Sequence, residues 1–285
     1  MYTTAATPAE LREFVPFMHR LIAVAFDVIR PLFLSGTAVI DKADASPVTQ
    51  ADRGAEQAMR ALIERAYPAH AVLGEEFGET TGAPASAAQA TRYRWVLDPV
   101  DGTRAFITNC FLFGTLIALE RWQQDERGAG WRPLLGAIAH PAAGQALIGH
   151  AGGCTLFSLD GTQRPARVRP RTRIEDATLL VTSLWTVGEQ RHAPNVDRIQ
   201  LLAQRARLTR TWGDCFGYFA LATGGADLML DPTLAYWDVA AIVPVVEGAG
   251  GVVTAWQGGN PLAELSVIAS AGPLNEVALE LLRQG

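Results

Sequence analysis

The chain has few of the residues that build disulfide or histidine-based sites. Its 285 residues include only three cysteines, Cys110, Cys154 and Cys215, odd in number and widely separated. No disulfide framework or zinc-ligand spacing can be drawn from them, which suits a reducing compartment and leads us to expect a cytoplasmic protein. The five histidines never stand four residues apart, so a histidine-ligated metal has no support. Basic charge is not in excess. A net charge of −5 and a pI near 5.6 argue against a nucleic-acid-binding surface. Apolar runs long enough to cross a bilayer are lacking: the run 21–29 is broken by Asp27 and flanked by Arg20 and Arg30. The N-terminus shows no signal-peptide pattern, and no sequence repeat or low-complexity domain is seen. The chain is 49% hydrophobic and 19% charged, enough for a substantial core in one large domain or two fused halves.

Against that background, acids stand repeatedly at the ends of apolar segments. Trp95-Val96-Leu97 forms an apolar run that stops at Asp98-Pro99-Val100-Asp101-Gly102-Thr103. Pro99 removes an amide proton and restricts Asp98 to extended geometry, so the strand should not continue regularly. Gly102 lets the backbone approach a ligand closely. Two aspartates at a strand end are costly unless a cation lies between them, and a hard divalent ion with oxygen ligands is the natural solution. A solvated Pro-Asp-Gly turn is the plainer reading. Three further elements repeat the pattern: Gly74-Glu75-Glu76 after the run 71–73, Asp238 before the apolar helix 239–247, and Asp52 opening an amphipathic helix over 52–66. Each has an ordinary explanation, a surface loop acid, a helix cap or a first-turn charge. Their recurrence at segment ends favours a shared site.

The periodicity predicts two halves, 1–168 and 173–285. The first has helices over 8–34 and 52–66, then a loop over 80–91 rich in small residues. Strands over 94–97, 113–120, 134–140, 145–150 and 155–159 follow, joined by short turns, which implies an antiparallel meander. A basic connector follows (Arg164, Arg167, Arg169, Arg171 and Arg173), read as solvated, with an anion or subunit contact as the sharper reading. Beyond it, strands and helices alternate: 178–182, 196–206, 208–212, 215–223, 226–230, 239–247, 252–255, 265–269 and 274–283. That βαβ-like order predicts a mixed α/β sheet covered by helices.

Gly74-Glu75-Glu76, Asp98-Pro99-Val100-Asp101-Gly102-Thr103 and Trp237-Asp238-Val239-Ala240-Ala241, supported by Val48-Thr49-Gln50-Ala51-Asp52, resemble the inositol monophosphatase family in order and spacing. These are magnesium-dependent, lithium-sensitive phosphomonoesterases. The resemblance covers nearly the whole chain. Within the family, Phe113-Gly114-Thr115-Leu116-Ile117-Ala118-Leu119 and Trp212-Gly213-Asp214-Cys215-Phe216 look most like the histidinol-phosphatase branch.

The resemblance implies an α/β (α+β) fold, a layered αβαβα sandwich of the inositol monophosphatase and fructose-1,6-bisphosphatase type, with the active site between the halves. It implies Mg²⁺ as cofactor. Glu75, Asp98 and the Val100 carbonyl would hold one ion, and Asp98, Asp101 and Asp238 a second, with a third, weaker ion at Glu75 as a further option. Glu75 and Thr103 would orient and deprotonate the attacking water, Asp52 would hold the Thr103 hydroxyl, and the Gly102 and Thr103 amides would donate to phosphate. Asp214 and Asp231 would face the leaving group, favouring an amine or imidazolium such as that of histidinol.

The implied activity is hydrolysis of a small phosphorylated metabolite, histidinol phosphate first, a step of histidine biosynthesis. Inositol 1-phosphate or another sugar or nucleotide phosphate is the alternative, and a non-catalytic phosphometabolite-binding protein the third. Two departures bear on substrate: Ala235-Tyr236 stands where the branch carries Lys-Pro, and Asp231-Pro232 where it carries Glu. Lys42 could steer an anionic substrate or be a plain loop lysine. The run Phe111-Leu112-Phe113 and the exposed-looking tryptophans are compatible with a homodimer interface, which the resemblance also implies.

Overall fold

The computed structural model describes residues 1–36, 39–41, 47–82, 92–183 and 196–283. Lys42 and most of the expected loop over 80–91 lie outside them. Two helices open the chain, α1 (Pro8–Leu32) and α2 (Gln50–Ala66), with a ribbon of β1 (Val39–Asp41) and β2 (Pro47–Thr49) between them. Next come β3 (Ala71–Gly74), β4 (Gly78–Thr80), β5 (Tyr93–Asp101), the short α3 (Thr103–Ile107), β6 (Gly114–Asp125), β7 (Gly128–His140), β8 (Gln145–His150), β9 (Gly153–Ser158) and β10 (Gln163–Pro165). The remainder is β11 (Thr178–Val181), α4 (Val196–Arg205), β12 (Leu208–Arg210), α5 (Asp214–Ala222), β13 (Leu228–Asp231), α6 (Tyr236–Gly248), β14 (Val252–Thr254), α7 (Pro261–Glu264), β15 (Val267–Ser270) and α8 (Leu274–Arg283).

Local chemistry explains the two long N-terminal helices. Thr7 caps α1 by accepting from the Glu10 amide at 3.2 Å, while Glu10 accepts from the Thr7 amide at 2.7 Å. Phe14, Phe17, Met18, Leu21, Ala25 and Ile29 then bury one face at helical spacing. In α2, Thr49 is the cap and Ala51, Ala55, Met59, Leu62 and Ile63 form the buried face.

Strands β5 to β10 form the expected antiparallel meander, each pairing with the next. The larger sheet has eight strands because β3 adds in parallel beside β5, with β4 at its edge. The second sheet runs β12-β11-β13-β15-β14 and is mixed: β11 is parallel to both β12 and β13, while β15 is antiparallel to β13 and β14.

Alternation along the strands sorts side chains into three cores and hence five layers. Trp95, Leu97, Ile117 and Leu119 face α1 and α2. Val96, Leu116 and Ala118 face the other way, meeting Tyr218 of α5, nearly all of α6, and Leu180, Met229 and Ala269 of the second sheet. Leu179, Leu228 and Ile268 point outward to α4 and α8. The order is α, β, α, β, α, as expected. Helix α6 is apolar all round because it lies between two sheets; Val239 to Val246 are buried without a break.

Two expectations are corrected. The basic connector is not simply solvated: Arg169 makes two bonds to the buried Asp227 at 2.6 and 2.5 Å, and Arg171 approaches the same carboxylate at 3.8 Å. A fully buried acid requires such partners. Of the run read as interfacial, Phe113 is inaccessible because it points into a core, while Phe111 remains exposed; Trp122 and Trp212 are exposed as well.

Candidate active site

The site is assembled by strand register. Because β3 runs parallel to β5 with Gly74 opposite Leu97, Glu75 emerges beside Asp98, and its amide donates to the Leu97 carbonyl at 3.1 Å. In a regular strand Asp98 and Asp101, three apart, would point to opposite faces. Strand β5 does not stop at Leu97 as expected but continues to Asp101 through an irregularity between the two aspartates, where Pro99 and Val100 together oppose the single Thr115 of β6. Pro99 offers no ladder donor, and its carbonyl accepts from Thr115 Oγ1 at 2.8 Å. The extra residue turns both carboxylates to one side. The third comes from the first turn of α6, where Asp238 Oδ2 accepts from the Ala235 amide at 2.8 Å. Asp98, Asp101 and Asp238 each present an oxygen within 4.8 Å of the others.

Charge repulsion here is severe. Burial, then Glu75, Asp101 and Asp238, pushes the Asp98 carboxyl well above its ordinary range. Asp101 is raised by burial, then by Asp214 and Asp238. Asp238 is pushed up to about 7, chiefly by burial and despite the Ala235 amide. Asp98 Oδ1 is buried with no hydrogen-bond partner among the described residues. Converging oxygen donors, one of them orphaned, fit a hard divalent cation.

Thr103 stands where the sequence placed it. Its hydroxyl lies 3.2 Å from Asp52 Oδ1 and 3.1 Å from the Val100 carbonyl. Asp52 also accepts from the Thr49 amide at 2.8 Å and is raised above its ordinary pKa by burial. Gly102 precedes α3 with φ of 81°, and a Cβ there would come 3.1 Å from Asp214 Oδ2, so glycine is required.

A cleft of about 700 Å³ joins these groups to the C-terminal half, lined by Glu75, Asp101, Arg104, Thr182, Asp214 and Asp231 among others. Asp214 adopts φ of 48°, unusual for a residue with a side chain, and its amide donates to Thr182 Oγ1 at 3.1 Å. Burial pushes its carboxyl up to about 6, against the lowering pull of Arg104. Asp231 is deeper: one oxygen accepts from Thr182 at 2.6 Å and the other from Tyr218 at 2.7 Å. Burial raises it to about 7. The Cys215 amide donates to Asp101 Oδ2, joining α5 to the acidic cluster.

Sequence reasoning missed Glu56, Arg104, Thr182, Tyr218 and the Cys215 amide. Only Glu56 left a signal, an acid on the apolar face of α2 one turn after Asp52. The others meet the site through tertiary packing.

An acid-lined cleft between the two sheets of a five-layer sandwich, with a hydroxyl held at its floor, defines a layered α/β phosphomonoesterase. The chain belongs to the inositol monophosphatase family, whose sequence profile matches residues 10–285. It is 36% identical over 269 residues to the chloroplastic bifunctional phosphatase IMPL2 of Arabidopsis thaliana, covering 94% of this chain and 72% of that protein. It is 33% identical over 233 residues to a histidinol-phosphatase of Chlorobaculum parvum, covering 82% of each. An inositol monophosphatase structure from Zymomonas mobilis superposes with a TM-score of 0.76 at 35% identity, over 95% of this chain and 98% of that one. No helix among the described residues is long and apolar enough to cross a membrane.

Proposed function

We propose that this phosphoric monoester hydrolase is a Mg²⁺-dependent histidinol-phosphate phosphatase, releasing histidinol and phosphate. The observation that supports this substrate is Asp214, a carboxylate held in a left-handed conformation against Gly102, with Asp231 behind it. Two acids beside the phosphate-binding turn favour a leaving group that carries an ammonium or imidazolium.

In this reading Glu75, Asp98 and the Val100 carbonyl would hold one Mg²⁺, and Asp98, Asp101 and Asp238 another, with a third at Glu75 as a further option. Bound there, the ions neutralise phosphoryl charge and make water nucleophilic at neutral pH. The protein groups do the orienting. Glu75 and Thr103 direct the attacking water and accept its proton. Asp52 fixes the Thr103 hydroxyl by accepting its hydrogen bond, and the Gly102 and Thr103 amides donate to phosphate oxygens. Asp214 contacts the cationic leaving group directly. Asp231 keeps a second lone pair on each oxygen for the cleft while anchoring Thr182, on which the Asp214 amide rests. Residues 1–168 thus supply the metal-binding acids other than Asp238, and residues 173–285 supply Asp238 and the substrate-side acids. We place the protein in the cytoplasm as a homodimer, with exposed Phe111 in the interface; sedimentation of the purified protein tests the assembly.

Phosphate release from histidinol phosphate, inositol 1-phosphate, fructose 1,6-bisphosphate and adenosine 3′,5′-bisphosphate tests the substrate. Histidinol phosphate is expected to give the highest kcat/KM; inositol 1-phosphate leading would favour the polyol reading, in keeping with the Zymomonas mobilis likeness. Asp214→Asn should raise KM for histidinol phosphate by about tenfold, the value of one charge-assisted contact, and much less for inositol 1-phosphate. Equal rises would remove the argument for a cationic leaving group.

A further inference from the structure

Glu56 belongs to none of the motifs above, yet its side chain is completely buried. It extends from α2 to the turn after β3. Oε2 accepts from the Glu76 amide at 2.7 Å and Oε1 from the Phe77 amide at 3.2 Å. The Arg60 Nε group donates to Oε1 at 2.7 Å and balances the charge. Arg60 continues outward to the Gly78 carbonyl and to Thr80 Oγ1. With the Glu75 amide held by Leu97, three consecutive amides of the turn are tied down. Gly74 makes room for this, because a Cβ there would occupy the space of the Glu56 carboxylate.

We propose that Glu56 is the positioning residue for Glu75. Burying a carboxylate carries a desolvation cost, and an apolar side chain would fill the space without that penalty. What a carboxylate supplies is two acceptors aimed at the amides on the far side of Glu75. Asp52, one helical turn earlier, holds Thr103. One rigid helix therefore sets both groups that act on the attacking water, although Glu75 follows β3 and Thr103 opens α3. A shift of the turn would move the Glu75 carboxylate relative to Asp98 and weaken cation binding more than it weakens the fold.

The inference rests on Glu75 serving the metal, so the test separates the two. Mg²⁺ is titrated calorimetrically into metal-stripped wild type, Glu56→Gln, Glu75→Gln and Glu247→Gln, with melting recorded for each. Glu247 is a control of the same kind, a buried carboxylate that accepts the Tyr2 and Thr3 amides at 2.8 and 2.9 Å, at the end of α6 away from Asp238. Glu56→Gln is expected to weaken Mg²⁺ binding about tenfold or more, the usual effect of losing a group that orients a ligand. Glu247→Gln should bind as wild type. If Glu75→Gln loses affinity while Glu56→Gln keeps it, the positioning role is wrong and the metal assignment stands. If Glu75→Gln binds Mg²⁺ as wild type does, the assignment of Glu75 fails and this inference falls with it. Should Glu56→Gln not fold, Glu56→Asp, one methylene too short to reach both amides, is held to the same expected loss.

Discussion

Asp98→Asn is expected to abolish turnover, lowering kcat/KM by about three orders of magnitude or more, the value of several kcal/mol of lost charge stabilisation. The substitution changes one oxygen to an amide nitrogen and leaves side-chain volume almost unchanged. Asp98 is the acid proposed to serve both cation sites, and its Oδ1 has no hydrogen-bond partner among the described residues. An amide would therefore remove a ligand without removing a structural bond. The fold should survive. Metal-free Asp98→Asn should gain on wild type in melting temperature as the pH rises, because burial and the facing Glu75, Asp101 and Asp238 all oppose the Asp98 charge. The difference should shrink as the pH falls and the wild-type carboxyl takes up its proton. Phosphate release in saturating Mg²⁺ and thermal melting across a pH series check this. Retention of most of the activity would end the two-ion reading.

The second large effect is a pH-dependent stabilisation by Mg²⁺. In the folded protein Asp238 and Asp231 are pushed up to about 7 and Asp214 to about 6, burial being the first cause for each. An unfolded chain loses these protons near pH 4. Between those limits the folded state binds more protons than the unfolded state, so stability falls as pH rises. The contribution is fully present below about pH 4 and is lost as the pH passes about 7. A cation held by Asp98, Asp101 and Asp238 would take the place of the missing Asp238 proton. Mg²⁺ at a hundredfold excess over its dissociation constant should raise the melting temperature by roughly 5–10 °C at pH 8. At pH 5 the same Mg²⁺ concentration should give a much smaller rise, because protons compete for the same oxygens and weaken binding. Taking the difference with and without Mg²⁺ cancels acids elsewhere, such as Glu10, which its bonds to Thr7, Tyr93 and Arg121 hold below its ordinary pKa and which act in the opposite sense. An equal gain at both pH values would show that the cation does not bind at these carboxylates.

Legibility followed sequence distance. The stretch from Asp98 to Thr103 could be read because its chemistry is contiguous, and the α1 and α2 faces because helical burial repeats every three to four residues. Glu56 was within reach by the same rule, since an acid on a buried face requires a reason. The Asp231–Thr182 and Arg169–Asp227 bonds were not, for they join residues 49 and 58 positions apart. Phe113 reads as exposed beside Phe111, but it immediately precedes β6 with its ring in the first core. Asp231 follows the same lesson: an acid before a proline looks like a loop residue until Thr182 and Tyr218 are found against it.

By itself the sequence determined which acids exist, their order, and which segments bury an apolar face, because these depend on local composition and period. The tertiary structure alone decided that the acids meet. That required β3 to insert beside β5, an extra residue to turn Asp98 and Asp101 to one side, and α6 to lie between the sheets with Asp238 at its opening turn. Mutually repelling carboxylates do not gather of their own accord. They are held together by apolar burial over the three cores, a cooperative property of the whole chain that no local segment encodes.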